Sequence, residues 1–253
     1  NAALRINRFL ALDASGGEEF NEFVSNDDDI DGTFWDAGFT WTPNARVSVA
    51  AGYGERFFGT TPRASISYRH KRSELSASYQ RSVSVPRNLR GQFAQRGERL
   101  PDIEDLPGQP IGGIGRDTFV GQGPVENESV TLSWAFQARR TGIGLSASES
   151  QQTRFESGAS ATFRNASLTL SRQLGPQTST DLRVGWRNNE GDDDSIGLFG
   201  QEIEAWTGSW GVSRTLGNNT TFTLRYQYTD QSANNDFNTY TENRVDLNLR
   251  YRF

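Results

Sequence analysis

Neither cysteine nor methionine occurs among the 253 residues, and His70 is the one histidine. Without cysteine the chain can hold no disulfide framework and no thiolate metal site. A single histidine, falling at a turn, offers little for Ser-His or general-base chemistry, so no enzymatic activity is expected. Runs of about 18 apolar residues are equally missing, which excludes a transmembrane helix. Hydrophobic residues make up 34% of the chain and mean hydropathy is −0.67. Such values still admit a membrane barrel, where only alternate strand residues meet lipid. With no Met at position 1 and no signal peptide, the chain reads as starting after processing or as a piece of something longer.

What is present favours strands. Glycine numbers 26 and aromatics reach 11%, alongside many Ser, Thr and Asn. The clearest stretch is the last, Asn243 to Phe253. Val245, Leu247, Leu249, Tyr251 and Phe253 share one parity, against Arg244, Asp246, Asn248, Arg250 and Arg252. Because side chains alternate along a strand, this segment has one apolar and one polar face. Its aromatic ending resembles the final strand of bacterial outer-membrane β-barrels. There the last aromatic belongs to a signal read by the barrel-assembly machinery, a role the resemblance gives to Tyr251 and Phe253.

The same period recurs. Trp35, Ala37, Phe39 and Trp41 oppose Asp36, Gly38 and Thr40, and Val130, Leu132, Trp134 and Phe136 oppose Thr131, Ser133 and Ala135. Phe222, Leu224, Tyr226 and Tyr228 likewise oppose Thr221, Thr223, Arg225 and Gln227. Two segments alternate poorly. Ala2–Asp13 carries Arg8 on its apolar parity, and Ser157–Gln173 changes parity near Arg164-Asn165, which suggests a bulge. In all, about twelve strands are expected.

Tight turns near Pro43, His70, Arg140, Pro176 and Asn218 alternate with longer loops after Asp13, Gly54, Pro86, Gln151, Asn188 and Asp230. This asymmetry predicts an all-β, transmembrane, antiparallel up-and-down β-barrel spanning 1–253, with short periplasmic turns and long extracellular loops. Both termini are then periplasmic, and the terminal strand closes against Ala2–Asp13. The longest loop, 86–127, is a natural plug or lid. A soluble β-sandwich is the alternative, though it gives no reason for the loop asymmetry.

Gly32–Gly59, reading GTFWDAGFTWTPNARVSVAAGYGERFFG, resembles the outer-membrane β-barrel proteins associated with PEP-CTERM and exopolysaccharide systems. The matching features are a strand ending W-x-P-x-x-R, a strand ending G-x-R-F-F-G, and the Ser/Tyr strands Ser65–His70 and Ser73–Arg81. The resemblance is sharp over roughly 30 residues and looser toward the C-terminus. It implies a Gram-negative outer-membrane location, a link to exported polysaccharide, and further sequence before Asn1. That leaves open whether upstream strands widen the barrel. It carries over no reaction and no functional residues.

Taken as a lumen, the polar parity holds Arg46, Arg63, Arg69, Arg183, Arg187, Arg225, Arg244, Arg250 and Arg252, with Arg5 and Arg164 also assigned to it. Fewer acids face them, namely Asp36, Glu74, Asp181 and Asp246. Guanidinium forks suit carboxylates and phosphates, so this lumen favours anionic solutes or an anionic polysaccharide in porin-like transport. Alternatively the arginines pair with acids, fill the interior, and leave a structural barrel that scaffolds or anchors a surface complex. The lipid bilayer, the assembly machinery and other envelope proteins are the expected partners; nucleic acid is not.

Asp27, Asp29 and Asp31, followed by Gly32, fit the first half of a calcium loop, but Gly38 stands where the closing Glu belongs. Either these residues and Asp192–Asp194 bind surface calcium or both are solvated acidic loops. The glycines of Gly108–Gly123 lack the strand-to-helix context and the lysine of a phosphate loop.

Overall fold

A computed structural model describes residues 2–19, 32–84, 125–155, 158–191, 202–217, 219–234 and 238–251. It contains fourteen strands. The first seven are β1 (Ala2–Arg5), β2 (Leu10–Glu19), β3 (Gly32–Asn44), β4 (Val47–Arg56), β5 (Gly59–Thr60), β6 (Arg63–His70) and β7 (Ser73–Ser84). The others are β8 (Val125–Gln137), β9 (Thr141–Arg154), β10 (Ser160–Gly175), β11 (Thr178–Gly191), β12 (Ile203–Leu216), β13 (Thr220–Ala233) and β14 (Tyr240–Tyr251).

All pair antiparallel with their sequence neighbours in one sheet, except that β5 pairs β4 alone and β6 takes the next place in the ladder. This is an up-and-down β-barrel wall. Among the described residues no pairing joins β14 to β1 or β2, so the expected closure of the terminal strand on the first is not made.

Twelve strands are long, and the two extra ones have local causes. Asn7 Oδ1 accepts from the N–H groups of Phe9 and Leu10 at 2.7 and 2.9 Å, an Asx turn that splits the predicted Ala2–Asp13 strand into β1 and β2. The turn Phe57-Phe58 folds β5 back on β4 inside the expected Gly54–Thr61 loop. Strand β2 also continues to Glu19, and β8 begins at Val125 rather than Glu128. Backbone pairing continues there after apolar alternation has stopped, because it needs no particular side chain.

The predicted bulge at Arg164-Asn165 is absent. Pairing of β10 with β11 runs unbroken from Ala161 to Gln173 and shifts only between Gln173 and Gly175. Phe163 therefore shares the polar face with Ser167 and Thr169, and Arg164 shares the apolar face with Leu168. This corrects the assignment of Arg164 to the lumen. At the opposite end, Asn44 Oδ1 accepts from Arg46 and Val47 and shapes the Ala45-Arg46 turn.

The two faces differ sharply in what they bury. Val245, Leu247 and Leu249 are 64–68% exposed, and Trp35, Trp41, Tyr53, Trp206 and Trp210 are all near half. Only Val125, Ala159, Ala161, Phe163 and Ala205 are buried apolar residues among those described. A sandwich would put its aromatic faces into one core. Here they form a continuous outer surface, far beyond what a water-soluble monomer exposes, and the surface a lipid bilayer covers.

Candidate functional site

The polar face carries the charged side chains, and register decides their neighbours. Arg63 on β6 lies between Asp36 on β3 and Asp13 on β2. It donates to Asp13 at 2.8 Å and makes a second ion pair with Asp36. Gly38 and Gly52 make room for this guanidinium. A Cβ at either would sit 2.6 or 2.5 Å from Arg63 atoms. Next to this group, Arg56 pairs with Glu19 at 2.7 Å and lies over the Phe34 ring. Arg69 donates through two nitrogens to Glu74 at 3.2 and 3.1 Å. Arg46 sits in the β3–β4 turn and, with Arg69, lines a small basin of about 420 Å³. Arg56, Arg63 and Arg69 of this first sector thus meet carboxylates, of which Glu19 lies in a stretch that the sequence assigned to loop and Asp13 at its edge.

The second sector, β11 to β14, is different. Asp181 stands 4.0 Å from Arg183 and 3.8 Å from Arg225, one carboxylate between two guanidiniums. Arg225 Nε is buried with no hydrogen-bond partner. Arg244 donates to Asp246 at 2.9 Å. Arg187 donates to the buried Gln231 at 3.0 Å. Arg250 has no ion pair among the described residues. Register stacks these groups up the wall, with Arg250 opposite Thr221, Arg225 opposite Asp246, and Arg244 opposite Gln227. Glu242 shares this face, an acid that the earlier count omitted.

Arg225, Arg244 and Arg250 front an open basin of about 800 Å³, which Asp246, Gln227 and Leu247 also line together with Ser, Thr and Asn side chains of β12 to β14 and the turn between β12 and β13. The remaining candidates fall elsewhere. Arg252, Phe253, Asp27, Asp29, Asp31, Asp192–Asp194 and residues 86–124 lie outside the described residues, while Tyr251 ends β14 on the apolar face.

The apolar face holds a polar fringe that composition did not suggest. Trp35, Tyr79 and Trp186 donate to Glu55, Glu128 and Glu204 at 3.3, 2.8 and 2.7 Å. All lie toward the end bearing segments 20–31, 85–124 and 192–201 (the long-loop end). Arg164 bridges Glu149 and Glu190 at the same level, and Arg81 pairs with Glu126. Amphipathic rings with polar partners are what a membrane–water boundary selects. His70 stacks against Tyr68 at 6.2 Å beside the opposite turns.

The fold and its two faces define an outer-membrane-type β-barrel whose interior bears arginine. No protein-family model and no curated protein matches the chain. Among solved structures it is similar to the outer-membrane protein OmpT of Vibrio cholerae, with 10% identity and a TM-score of 0.46 over 98% of this chain and 86% of that one. An anion-selective porin from Comamonas acidovorans matches at 11% identity and a TM-score of 0.48, over 86% of this chain and 59% of the porin. An outer-membrane channel from Pseudomonas putida F1 matches at 12% identity and a TM-score of 0.37, over 87% and 83%.

Proposed function

We propose that the protein is a non-catalytic conduit of the bacterial outer membrane that favours anionic solutes, with its tight turns and both termini on the periplasmic side. The observation that carries this reading is the arginine excess on the polar face of β11, β13 and β14, where Arg225, Arg244 and Arg250 of the last two strands front an open basin. Guanidiniums that share a carboxylate or lack one keep donors for a passing carboxylate or phosphate. A cleft lined by one sign of charge also raises the local concentration of counter-ions. Together with the Gly32–Gly59 resemblance, this makes an exported acidic polysaccharide the favoured cargo. Lipid and the assembly machinery are its constitutive partners.

Reversal potential across a planar bilayer under a KCl gradient tests the reading. The wild type is expected to prefer chloride, and Arg225→Gln/Arg244→Gln/Arg250→Gln to lose most of that preference. A wild type that prefers potassium, or passes no current, would overturn it.

A second reading has its own support. The neutralised network around Arg63 is that of a filled wall, so a structural barrel anchoring a surface complex is favoured if no current flows.

A further inference from the structure

The polar face does not stay polar along its whole height. Near the long-loop end Phe34, Val125 and Phe163 occupy polar-face positions, and the last two are only 2% exposed. Above them the Phe57-Phe58 turn meets Phe155 from the turn after β9. Ring centroids of Phe57 and Phe58 lie 6.5 and 6.4 Å from that of Phe155, and 5.1 Å from each other.

These turns are not neighbours in the sheet. Strands β6, β7 and β8 separate β4 from β9, a distance of roughly 19 Å along the wall. The rings can touch only if the turns lean over the opening. Gly32, in step with Phe34 on the polar face, shows the direction for Phe57: a Cβ there would lie 3.9 Å from Phe57 Cβ.

We propose that Phe57, Phe58 and Phe155 form an apolar gate over the long-loop mouth, above an otherwise polar and basic lumen. A constriction lined by phenylalanine offers a hydrated ion no replacement for its water, so it resists conduction by dewetting. The gate acts on small ions irrespective of sign, whereas the arginines below act on sign. This inference rests on the conduit reading.

The test compares single-channel currents in KCl for the wild type and Phe57→Ser/Phe58→Ser/Phe155→Ser. Conductance should rise several-fold while the anion preference is unchanged. Equal conductance would overturn the gate and leave the conduit standing; silence from both proteins would overturn the conduit and the gate with it. A second variant, Phe57→Cys/Phe155→Cys, uses the absence of native cysteine. A short bismaleimide should link the two positions within one folded chain, read by mass spectrometry. Failure to link them would overturn the contact between the turns, whatever the currents show.

Discussion

Trp186 donates its indole N–H to Glu204 at 2.7 Å across the β11–β12 pair, on the face that meets lipid. A carboxylate on that face is costly in hydrocarbon, so the pair marks where the apolar band ends. Replacing Glu204 with Ala strands the indole donor and is expected to cost about 1 kcal/mol. Glu204→Gln, which keeps an acceptor, should cost less. Denaturant unfolding from detergent micelles or vesicles measures both.

The apolar band itself is testable by depth. Leu247 lies in the middle of β14, 67% exposed, while Leu216 lies at the last position of β12 beside a tight turn. Arginine at a bilayer midplane costs about 2–4 kcal/mol in barrels of this kind, falling to about 0–1 near the interface. Leu247→Arg should therefore destabilise far more than Leu216→Arg. Equal costs in vesicles would contradict the placement of the band.

Arg63 holds two carboxylates in a partly exposed setting, so its deletion is expected to cost about 1 kcal/mol rather than the larger penalty of a buried pair. The cost arises mainly because Asp13 and Asp36 are left together. Adding Asp13→Asn to Arg63→Ala should recover part of it, a non-additivity that a double-mutant cycle measures. Gly52→Val should also destabilise, since its Cβ would displace the same guanidinium.

Arginines that already have acids should matter less to permeation than those without. Arg250→Gln is expected to lower chloride preference measurably, and Arg69→Gln, which removes a group held by Glu74, to leave it nearly unchanged. Reversal potentials of the two single variants decide between a selective sector and a uniformly basic lumen.

Phe163→Ala removes a ring that is 2% exposed beside Val125 and Ala161, and should cost about 3 kcal/mol. Phe39→Ala, on the lipid-facing surface, should cost less because lipid chains refill the space. Midpoints of unfolding in the same vesicles compare them directly.

Alternation was the legible part of this protein. Strands β3, β8, β13 and β14 repeat with period two, so the all-β meander, the lipid face and the turn positions could be read from residue order alone. Register could not. Whether Phe163 or Arg164 faces the lumen depends on unbroken pairing through a segment whose own pattern is ambiguous, and a one-residue slip would exchange them. Nor does composition say which arginine meets an acid. Arg63 finds Asp13 and Asp36 through strands up to fifty positions away, across two glycines whose role appears only when the guanidinium lies over them. The sequence by itself determined the two faces, because alternation is a local property of extended chain. Tertiary structure alone decided where charge is left unpaired and where phenylalanine crosses the mouth, because both depend on which strands stand side by side.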